Sequence, residues 1–479
     1  MASRSVERVQ DSVHGLMEFR GLEAVVVEVL RTPELQRLRR VRQLGMAHYV
    51  FPGAEHSRLT HSLGSAHLAI RFGNQLRVEA PKFFVPTLVL DESAIADFAL
   101  AALCHDLGHG PLSHAWEREV IGEDFDRDQW SKTLGLDPGD PLIQNKKWHE
   151  VVGQGLLAWP EGQLHRLLES HEVGTALRIR QMLGGEYYLS YLPRLLSSDV
   201  DVDRADFIMR DAHYTGVAYG RFDLNWLIST CTFGRTSDPG DEWIVGFDER
   251  KSVRVIEQFL IARRALYDTV YHHKTVRCIE GMVALLLRRL RGVLEGDDAL
   301  HGVSEFVEPM IDMMRGEALN PSKLMRVDDF YLAVLIDTIA SGLVKDEISM
   351  DLARRIQARD LFRQIPVESK RIGEFLASPE RREEVYEAIQ PFVPGSSEFY
   401  IIVDHSETKM FSEPLSECSL LVNSAGRASA IRDHPSLIGY RNGQSAQWRI
   451  FTVRQAVENV TKVIKGRGGR RARTEKNWL

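Results

Sequence analysis

The chain has 479 residues, of which 44% are hydrophobic and 27% charged, values that are ordinary for a globular protein and that exclude disordered, collagen-like and coiled-coil classes. Its formal net charge of −7 provides no global basic field for nucleic acid, so such binding would need a local patch. Four widely separated cysteines predict free thiols in a reducing cytosol, and the absence of an apolar leader or a long apolar stretch argues against secretion and membrane spanning; we therefore expect a cytoplasmic protein.

Apolar residues at helical spacing predict that most of the chain is helical. In chain order, the predicted helices cover residues 32–44, 57–76, 92–110, 148–158, 161–182, 194–212 and 252–294. The third is apolar nearly all round, so we expect a buried central helix that ends at Gly108 and Gly110. Strand patterns occur at 242–248, 398–404 and 447–453. The predicted fold class is therefore mainly α, a helical bundle core with a smaller α/β C-terminal portion.

These patterns also suggest domain boundaries. Residues 1–300 form the predicted main helical domain, with its functional core at about 45–225 and a long helix at about 252–294. A helical extension at 301–394 and a small α/β portion at 395–465 follow. The basic, glycine-rich end at 466–479 is either a flexible, solvated tail or a contact for nucleic acid.

Eight of the 17 histidines lie between His48 and His149. They fall mainly in the segments HSRLTHS (56–62), HDLGHGPLSH (105–114) and KWHE (147–150), and DVDVDRADFIMRD (199–211) adds several carboxylates. A His–Asp pair at the end of an apolar helix is costly to bury unless something pairs with it. Neutral imidazole and carboxylate oxygen together suit a divalent metal ion with open positions. The residues thus favour a metal-dependent hydrolase, with a purely structural role as the alternative.

The order of His61, His105–Asp106 and Asp203 resembles that of the HD-domain superfamily of metal-dependent phosphohydrolases. Within it, the chain is most similar to the SAM- and HD-domain deoxynucleoside triphosphate (dNTP) triphosphohydrolases, without their SAM domain, and to bacterial dGTPase-like relatives. The matching strings are QRLRRVRQLG, YVFPGAEHSRLTHSLG, CHDLGHGPLSHAWE, KWHE, DVDRADFIMRD and ARRALYDTVYHHK, within roughly residues 9–290. The resemblance implies an HD helical bundle in residues 1–300 and hydrolysis of dNTPs to deoxynucleoside and inorganic triphosphate.

The resemblance also implies roles for individual residues. One divalent ion, which could be Mg, Mn, Fe, Co, Ni or Zn, would be held by His61, His105, Asp106 and Asp203, with Asp201 in a supporting or capping role. The implied catalytic residues, led by His114 and His149 as proton carriers, are His109, His114, Glu117, His149 and Glu150. The same histidines could instead hold a second ion. Glu117 stands where the family usually has Asp.

The implied substrate-binding residues are Gln43, Leu44, Arg58, Arg204, Phe207, Asp211, Arg263, Tyr267, Tyr271 and His272. The three arginines would hold the triphosphate, because guanidinium groups suit phosphate. Gln43 and Asp211 would bind the 3′-hydroxyl, whereas Leu44 and Tyr271 would close the space of a 2′-hydroxyl. Phe207 replaces a sugar-contacting tyrosine, and His272 falls near the base.

Assembly and regulation follow from the same resemblance. We expect a homo-oligomer, with a tetramer favoured. Gln36 and Arg39 match the family's site for an activating nucleotide, whereas Arg31 and Glu7 reverse two of its charges, so a different nucleotide or no activator is expected. The alternative functions are an HD nucleotidase, phosphodiesterase or nuclease that acts on other phosphoesters, and a nucleic-acid-binding protein that uses the basic tail.

Overall fold

A computed structural model describes residues 6–83, 85, 88, 90–113, 116–122, 125–236, 242–294, 307–408, 410–411, 418–441 and 446–465. The fold is mainly helical, as predicted. The α-helices of the described residues are α1 Val25–Leu30, α2 Pro33–Gln36, α3 Arg58–Glu79, α4 Glu92–Cys104, α5 Arg127–Thr133, α6 Trp148–Ala158, α7 Gln163–His171, α8 Thr175–Gly184, α9 Leu192–Leu196, α10 Val202–Thr215, α11 Leu224–Ser229, α12 Glu249–Leu266, α13 Lys274–Leu294, α14 Glu308–Met314, α15 Pro321–Leu324, α16 Asp329–Ala340, α17 Glu347–Gln357, α18 Ser369–Ala377, α19 Pro379–Ile389, α20 Ile438–Arg441 and α21 Val457–Lys465. The strands are β1 Val6–Asp11, β2 Gly15–Arg20, β3 Cys231–Arg235, β4 Trp243–Asp248, β5 Arg363–Gln364, β6 Ile401–Glu407, β7 Leu420–Val422, β8 Ala428–Ala430 and β9 Ala446–Thr452.

The chain divides into two compact units that are not continuous in sequence. Unit 1 consists of Met1–Tyr271, Glu305–Ala333 and Thr408–Gln444, and unit 2 of His272–Ser304, Val334–Glu407 and Ser445–Leu479. The domain boundaries expected from the sequence stay a prediction. The basic tail at 466–479 lies outside the described residues.

Unit 1 is built around α4, which is buried on all faces from Ala94 to Cys104 because its residues there are mostly Ala, Leu, Ile and Phe. Helix α3 packs along α4, α10 packs on α3, and α8 packs on α4. An antiparallel hairpin, β1–β2, begins the unit, and a four-stranded sheet has the order β3-β4-β7-β8. Strands β4 and β7 are parallel, whereas the other pairs of this sheet are antiparallel.

Unit 2 places α13 against α17 and β6. Its three-stranded antiparallel sheet has the order β5-β9-β6, and α18 packs on β9. The three predicted strands are present as β4, β6 and β9, and the shorter or less apolar strands were not predicted. Among the described helices, none is long and apolar enough to cross a membrane.

Several predicted helices are shorter than expected because the backbone breaks where the apolar spacing continues. Residues 37–40 form a 3-10 turn after α2, and Val41 is extended. The central helix α4 ends at Cys104, before either glycine, and a turn follows it. Gly174, in the left-handed region at φ +89, separates α7 from α8. An extended Ser197 separates α9 from α10.

The predicted long helix at 252–294 is also wrong, because it is interrupted between α12 and α13. A π-helical turn at Tyr267–Tyr271 follows α12 directly. The turn directs the Tyr271 hydroxyl to the Asp211 carboxylate, to which it donates a hydrogen bond at 2.6 Å. A π turn within helical sequence is typical of functional positions.

Candidate active site and metal centre

Three separate segments of unit 1 bring His61, His105 and Asp203 together. The Nε2 atom of His61 lies 3.2 Å from Nε2 of His105 and 3.0 Å from Oδ1 of Asp203. His105 Nδ1 donates to the Ala102 carbonyl at 2.7 Å, so its Nε2 faces the other two residues. One donor atom from each residue lies within 4.8 Å of the others. This arrangement could hold a metal ion, as the sequence predicts.

The positions of these residues on their helices explain the convergence. His61 lies in the first turn of α3, His105 directly follows α4, and Asp203 lies in the first turn of α10. A carboxylate is favourable at a helix N-terminus because the exposed N–H groups create a positive potential there. Asp201 caps α10 by accepting the Arg204 amide at 2.6 Å, which is the capping role expected for it.

The acidic side chains around His61 favour a positive charge at this position. Burial raises the pKa of Asp203, yet hydrogen bonds from His105 and His61 hold that pKa below its ordinary value. Burial lowers the pKa of His61, but Asp203 and Asp206 raise it overall to about 10. Two imidazoles and a carboxylate are ligands that suit a borderline divalent ion, which would take the place of the proton on His61. The residues therefore fit a metal ion.

Asp106 lies beside this group and connects it to its neighbours. Its Oδ2 is 3.8 Å from Nε2 of His61, and its Oδ1 is 3.4 Å from Nε2 of His105. Arg58 donates to Asp106, and its Nη2 atom also donates to the Ser113 hydroxyl at 2.8 Å. Burial raises the pKa of Asp106, but Arg58, His105 and His109 hold it well below its ordinary value. Arg58, expected to bind phosphate, thus contacts an expected metal ligand.

A second histidine–carboxylate group contains His109, Glu117 and His149. Glu117 accepts a hydrogen bond from Nδ1 of His149 at 3.0 Å, and the rings of His109 and His149 stack with centroids 4.0 Å apart. Glu117 therefore reaches His149 despite its extra methylene. Burial raises the pKa of Glu117, but the two histidines lower it overall. Asp106 links the groups, because its Oδ1 lies 3.3 Å from Nε2 of His109.

The other two expected catalytic residues are not placed in this group. Glu150 accepts the backbone amide of Lys147 at 2.8 Å and so caps the start of α6. His114 lies outside the described residues. Their catalytic roles stay predictions.

A chain of ring contacts leads from the metal-ligating group to a buried arginine. Centroids of His61 and Phe207 are 6.4 Å apart, and those of Phe207 and Tyr271 are 6.3 Å apart. Tyr271 meets Tyr267 at 4.9 Å, and the Arg263 guanidinium lies 5.6 Å from the Tyr267 centroid. Four of the expected substrate-binding residues therefore form one continuous surface from His61.

Arg204 and Arg263 lie close enough to affect each other electrostatically. Burial lowers the pKa of Arg263, and the charge of Arg204 lowers it further. Arg204 lies 3.6 Å from the carboxylates of Asp199 and Asp201, and Arg263 donates to the Met410 carbonyl at 2.6 Å. A buried guanidinium and a half-buried one close together favour an anion between or beside them.

The expected sugar-binding residues also lie near one another. Asp211 accepts hydrogen bonds from the Tyr271 hydroxyl at 2.6 Å and from Nε2 of His56 at 2.9 Å. The backbone amide of Gln43 donates to the His56 carbonyl at 3.0 Å. The Gln43 Oε1 atom is buried and has no hydrogen-bond partner among the described residues, which favours a ligand there. Leu44 follows Gln43 and is half-buried, whereas His272 begins unit 2.

The residues expected at an activator site form pairs of their own. Arg31 donates to Glu7 at 3.2 Å, so the two residues with reversed charges contact each other. Arg39 donates to Oε1 of Gln36 at 2.7 Å.

Sequence reasoning missed the buried residues that support the site, chiefly Asp206, His14 and Arg210. A signal for Asp206 was present, because it follows Asp203 by three residues on one helix, a spacing that places both on neighbouring turns of one face.

Comparisons with known proteins agree with the geometry of the site. Residues 58–153 match the family model of the HD domain, so the chain carries this domain and the predicted resemblance is confirmed. The chain is 28% identical to protein YwfO of Bacillus subtilis over 363 residues, which are 75% of this chain and 72% of that protein. It is 28% identical to the human deoxynucleoside triphosphate triphosphohydrolase SAMHD1 over 74% of this chain and 54% of that protein, and 26% identical to the chicken protein over 74% and 55%. The chain therefore spans about half the length of these two triphosphohydrolases.

Solved structures share the fold. A phosphohydrolase of Bacteroides thetaiotaomicron superposes with a TM-score of 0.69 at 22% identity, over 94% of this chain and all of that chain. A hypothetical protein of Aquifex aeolicus gives 0.64 at 22% identity, over 96% of this chain and all of that chain.

Proposed function

We propose that this HD-domain chain is a metal-dependent hydrolase that converts dNTPs to deoxynucleoside and inorganic triphosphate. The observation that carries the proposal is the continuous surface from His61 through Phe207, Tyr271 and Tyr267 to Arg263. This surface connects the group that fits a metal ion with the buried guanidinium of Arg263. A substrate with one reactive phosphate and further anionic groups would need both. The triphosphohydrolases among the relatives support this substrate class.

His61, His105 and Asp203 would hold the divalent ion, with Asp106 beside them. When bound, such an ion supplies polarisation of a phosphoryl oxygen and lowers the pKa of a coordinated water. The protein contributes fixed ligand orientations, because His105 is held by the Ala102 carbonyl.

Arg204 and Arg263 would bind the triphosphate. The substrate carries about four negative charges, and it would relieve the repulsion between the two guanidiniums when it binds. Their positive charge would also stabilise the negative charge that develops on the triphosphate when its α-phosphorus is attacked and the nucleoside departs.

His149 would protonate the departing nucleoside oxygen. The ionised Glu117 accepts a hydrogen bond from Nδ1 of His149, which fixes the orientation of the ring. General acid assistance of this kind contributes about 10²–10⁴-fold to a rate. His114 stays a second predicted proton carrier.

Gln43 and Asp211 would bind the 3′-hydroxyl of the sugar. We expect Gln43→Ala to lower kcat/KM for a dNTP about tenfold, because one hydrogen bond to the substrate is lost. The same change should have little effect on a 2′,3′-dideoxynucleotide, which lacks that hydroxyl. An equal loss with both substrates would contradict this assignment.

Product analysis tests the reaction directly. Purified protein is incubated with each dNTP and ribonucleotide and with Mg²⁺, Mn²⁺ or Co²⁺, in water enriched in heavy oxygen. We expect deoxynucleoside and triphosphate, with the label in the triphosphate. A nucleoside monophosphate with pyrophosphate, or stepwise release of phosphate, would overturn the proposal.

A two-metal phosphodiesterase is the second candidate. The observation in its favour is that donor atoms of His109, Glu117 and His149 also lie within 4.8 Å of one another. Metal analysis of the active protein separates the candidates, because two ions per chain and activity on phosphodiesters would favour the second.

A further inference from the structure

A layer of buried charged side chains lies behind His61, on the side of the ring away from Asp203. The Nδ1 atom of His61 donates to Oδ2 of Asp206 at 2.8 Å, while its Nε2 atom faces Asp203 at 3.0 Å. The side chains of His61 and Asp206 are 1% and 0% exposed. The hydrogen bond to Asp206 therefore fixes the orientation of the ring through Nδ1. The Nε2 atom is the one that faces the proposed metal position.

The N-terminal hairpin reaches the same carboxylate. His14, in the turn between β1 and β2, donates from Nε2 to Oδ1 of Asp206 at 2.6 Å, and its side chain is 2% exposed. Asp11 accepts the backbone amide of His14 at 2.9 Å and thereby fixes the turn. The two oxygens of Asp206 thus bind two histidines from distant parts of the sequence.

Arg210 keeps the carboxylate in its charged form. It donates to Asp206 at 2.8 and 3.0 Å and to Asp11 at 2.9 and 3.2 Å. Both side chains of the Arg210–Asp206 ion pair are 0% exposed, so no water competes for the carboxylate. An ionised carboxylate can only accept, so Nδ1 of His61 must carry the proton of their bond.

Helix α3 makes room for this layer. A Cβ atom at Gly64, three residues after His61, would lie 1.9 Å from Oδ1 of Asp206 and 2.5 Å from Nη2 of Arg210. Any side chain at this position would displace Asp206 from His61. The close approach therefore depends on the glycine.

We propose that Asp206 and His14 are positioning residues for the metal centre, which together hold His61 with its Nε2 atom towards Asp203 and His105. The inference rests on the metal site of the proposed function. It adds that the N-terminal hairpin, through His14, takes part in metal affinity. Partners of this kind on the second nitrogen of a ligating histidine typically change metal affinity 10–100-fold when they are removed.

Mn²⁺ binding by the full chain tests the proposal. The protein is stripped with a chelator and titrated with Mn²⁺, and the free ion is measured by electron paramagnetic resonance. We expect Asp206→Asn to weaken binding about 10–100-fold. The matched control is Asp97→Asn, because Asp97 is also buried and paired with an arginine, Arg178, in another part of unit 1. The control should lose stability without loss of Mn²⁺ affinity.

A pair of substitutions at His14 covers the case in which Asp206→Asn does not fold. His14→Leu removes the donor to Asp206 and should weaken Mn²⁺ binding several-fold, on the order of tenfold. His14→Gln keeps a donor at a similar reach and should bind close to the wild-type level. Equal affinity in wild type and His14→Leu, with both folded by circular dichroism, would overturn the proposal.

His61→Ala separates this inference from the proposed function. If His61→Ala binds Mn²⁺ as tightly as wild type, then the metal site itself is wrong. If His61→Ala loses the ion while folded Asp206→Asn and His14→Leu retain it, then only the positioning role is wrong.

Discussion

Asp201 and Asp203 are two residues apart, yet they occupy different environments at the start of α10. Asp203 lies 3.0 Å from Nε2 of His61, whereas Asp201 accepts backbone amides from Ser198 at 2.7 Å and Arg204 at 2.6 Å. We expect Asp203→Ala to release the metal ion and abolish hydrolysis. Asp201→Ala should keep much of the bound metal and much of the hydrolysis. It should lose about 1 kcal/mol of stability, the usual cost of a lost helix cap. Metal content, activity and thermal unfolding of the two variants check this, and the reverse pattern would mean that Asp201 is the ligand.

At the scale of residues, the sequence identified the side chains that belong to a motif. No motif marked the buried side chains that support them. His61, His105 and Asp203 come together as predicted, because their order in the chain is itself the signal. The partner of His61 is Asp206, whose spacing from Asp203 indicated a shared helix face but not a contact with His61. Asp206 contacts His61 only because Gly64 leaves space and Arg210 supplies charge, and both facts depend on how α3 and α10 pack.

The turn after α4 depends on a glycine where it meets α6. A Cβ atom at Gly108 would lie 1.9 Å from the His149 carbonyl and 2.5 Å from the Gly153 amide, and backbone atoms cannot move aside locally. We expect Gly108→Ala to push α6 away, which would lower the unfolding temperature and separate Glu117 from His149, with a loss of hydrolysis. Gly110→Ala is the control, since its Cβ would meet nothing closer than 3.6 Å. Similar behaviour of both variants would contradict this account.

Asp329, at the start of α16, stabilises the turn that follows α4. Its carboxylate accepts hydrogen bonds from the backbone amides of Leu112 at 2.9 Å and Arg42 at 2.7 Å. Burial raises the pKa of Asp329 from 3.8 to about 6, although the two amides oppose the rise. The folded chain therefore binds more protons at this residue than the unfolded chain between about pH 4 and 6, so this contribution to stability falls as pH rises through that window. Relative to the non-titrating Asp329→Asn, wild type should lose up to about 3 kcal/mol of unfolding free energy from pH 4 to 7.

Urea unfolding of both proteins across this range gives the difference, and Asp337→Asn, at an exposed position of the same helix, is the control. A difference between wild type and Asp329→Asn that does not change with pH would contradict the raised pKa.

At the scale of elements, helix content was predictable and helix breaks were not. The apolar spacing runs through Glu172–Gly174, through Ser197 and through Tyr267–Tyr271, so periodicity alone gives continuous helices there. The breaks depend on contacts with other parts of the fold. At the π turn, Tyr271 bonds Asp211, whose position is set by another helix.

Segments far along the chain complete unit 1, which limits what can be inferred from sequence order. Strand β7 pairs in parallel with β4, with Leu421 opposite Phe247. Asp328 pairs with Arg40 at 2.5 Å, although 288 positions separate them. Contacts of this length carry no local pattern, so a linear division into successive domains cannot reveal them.

The whole chain is predicted to assemble as a homo-oligomer, with a tetramer favoured, as the family resemblance implies; soluble homo-oligomers usually have closed symmetry. Each subunit has a mass of 54.4 kDa and a formal charge of −7, so like charges oppose association at low ionic strength. Salt shortens the Debye length to about 10 Å at 0.1 M, and association should therefore strengthen as salt increases from low to physiological concentration. Light scattering at micromolar concentration, with and without dNTPs, should give a multiple of 54.4 kDa, and four times that mass is expected at saturation. A monomer under every salt and nucleotide condition would contradict the predicted assembly. Weaker association at higher salt would mean that ion pairs, and not apolar contacts, hold the subunits together.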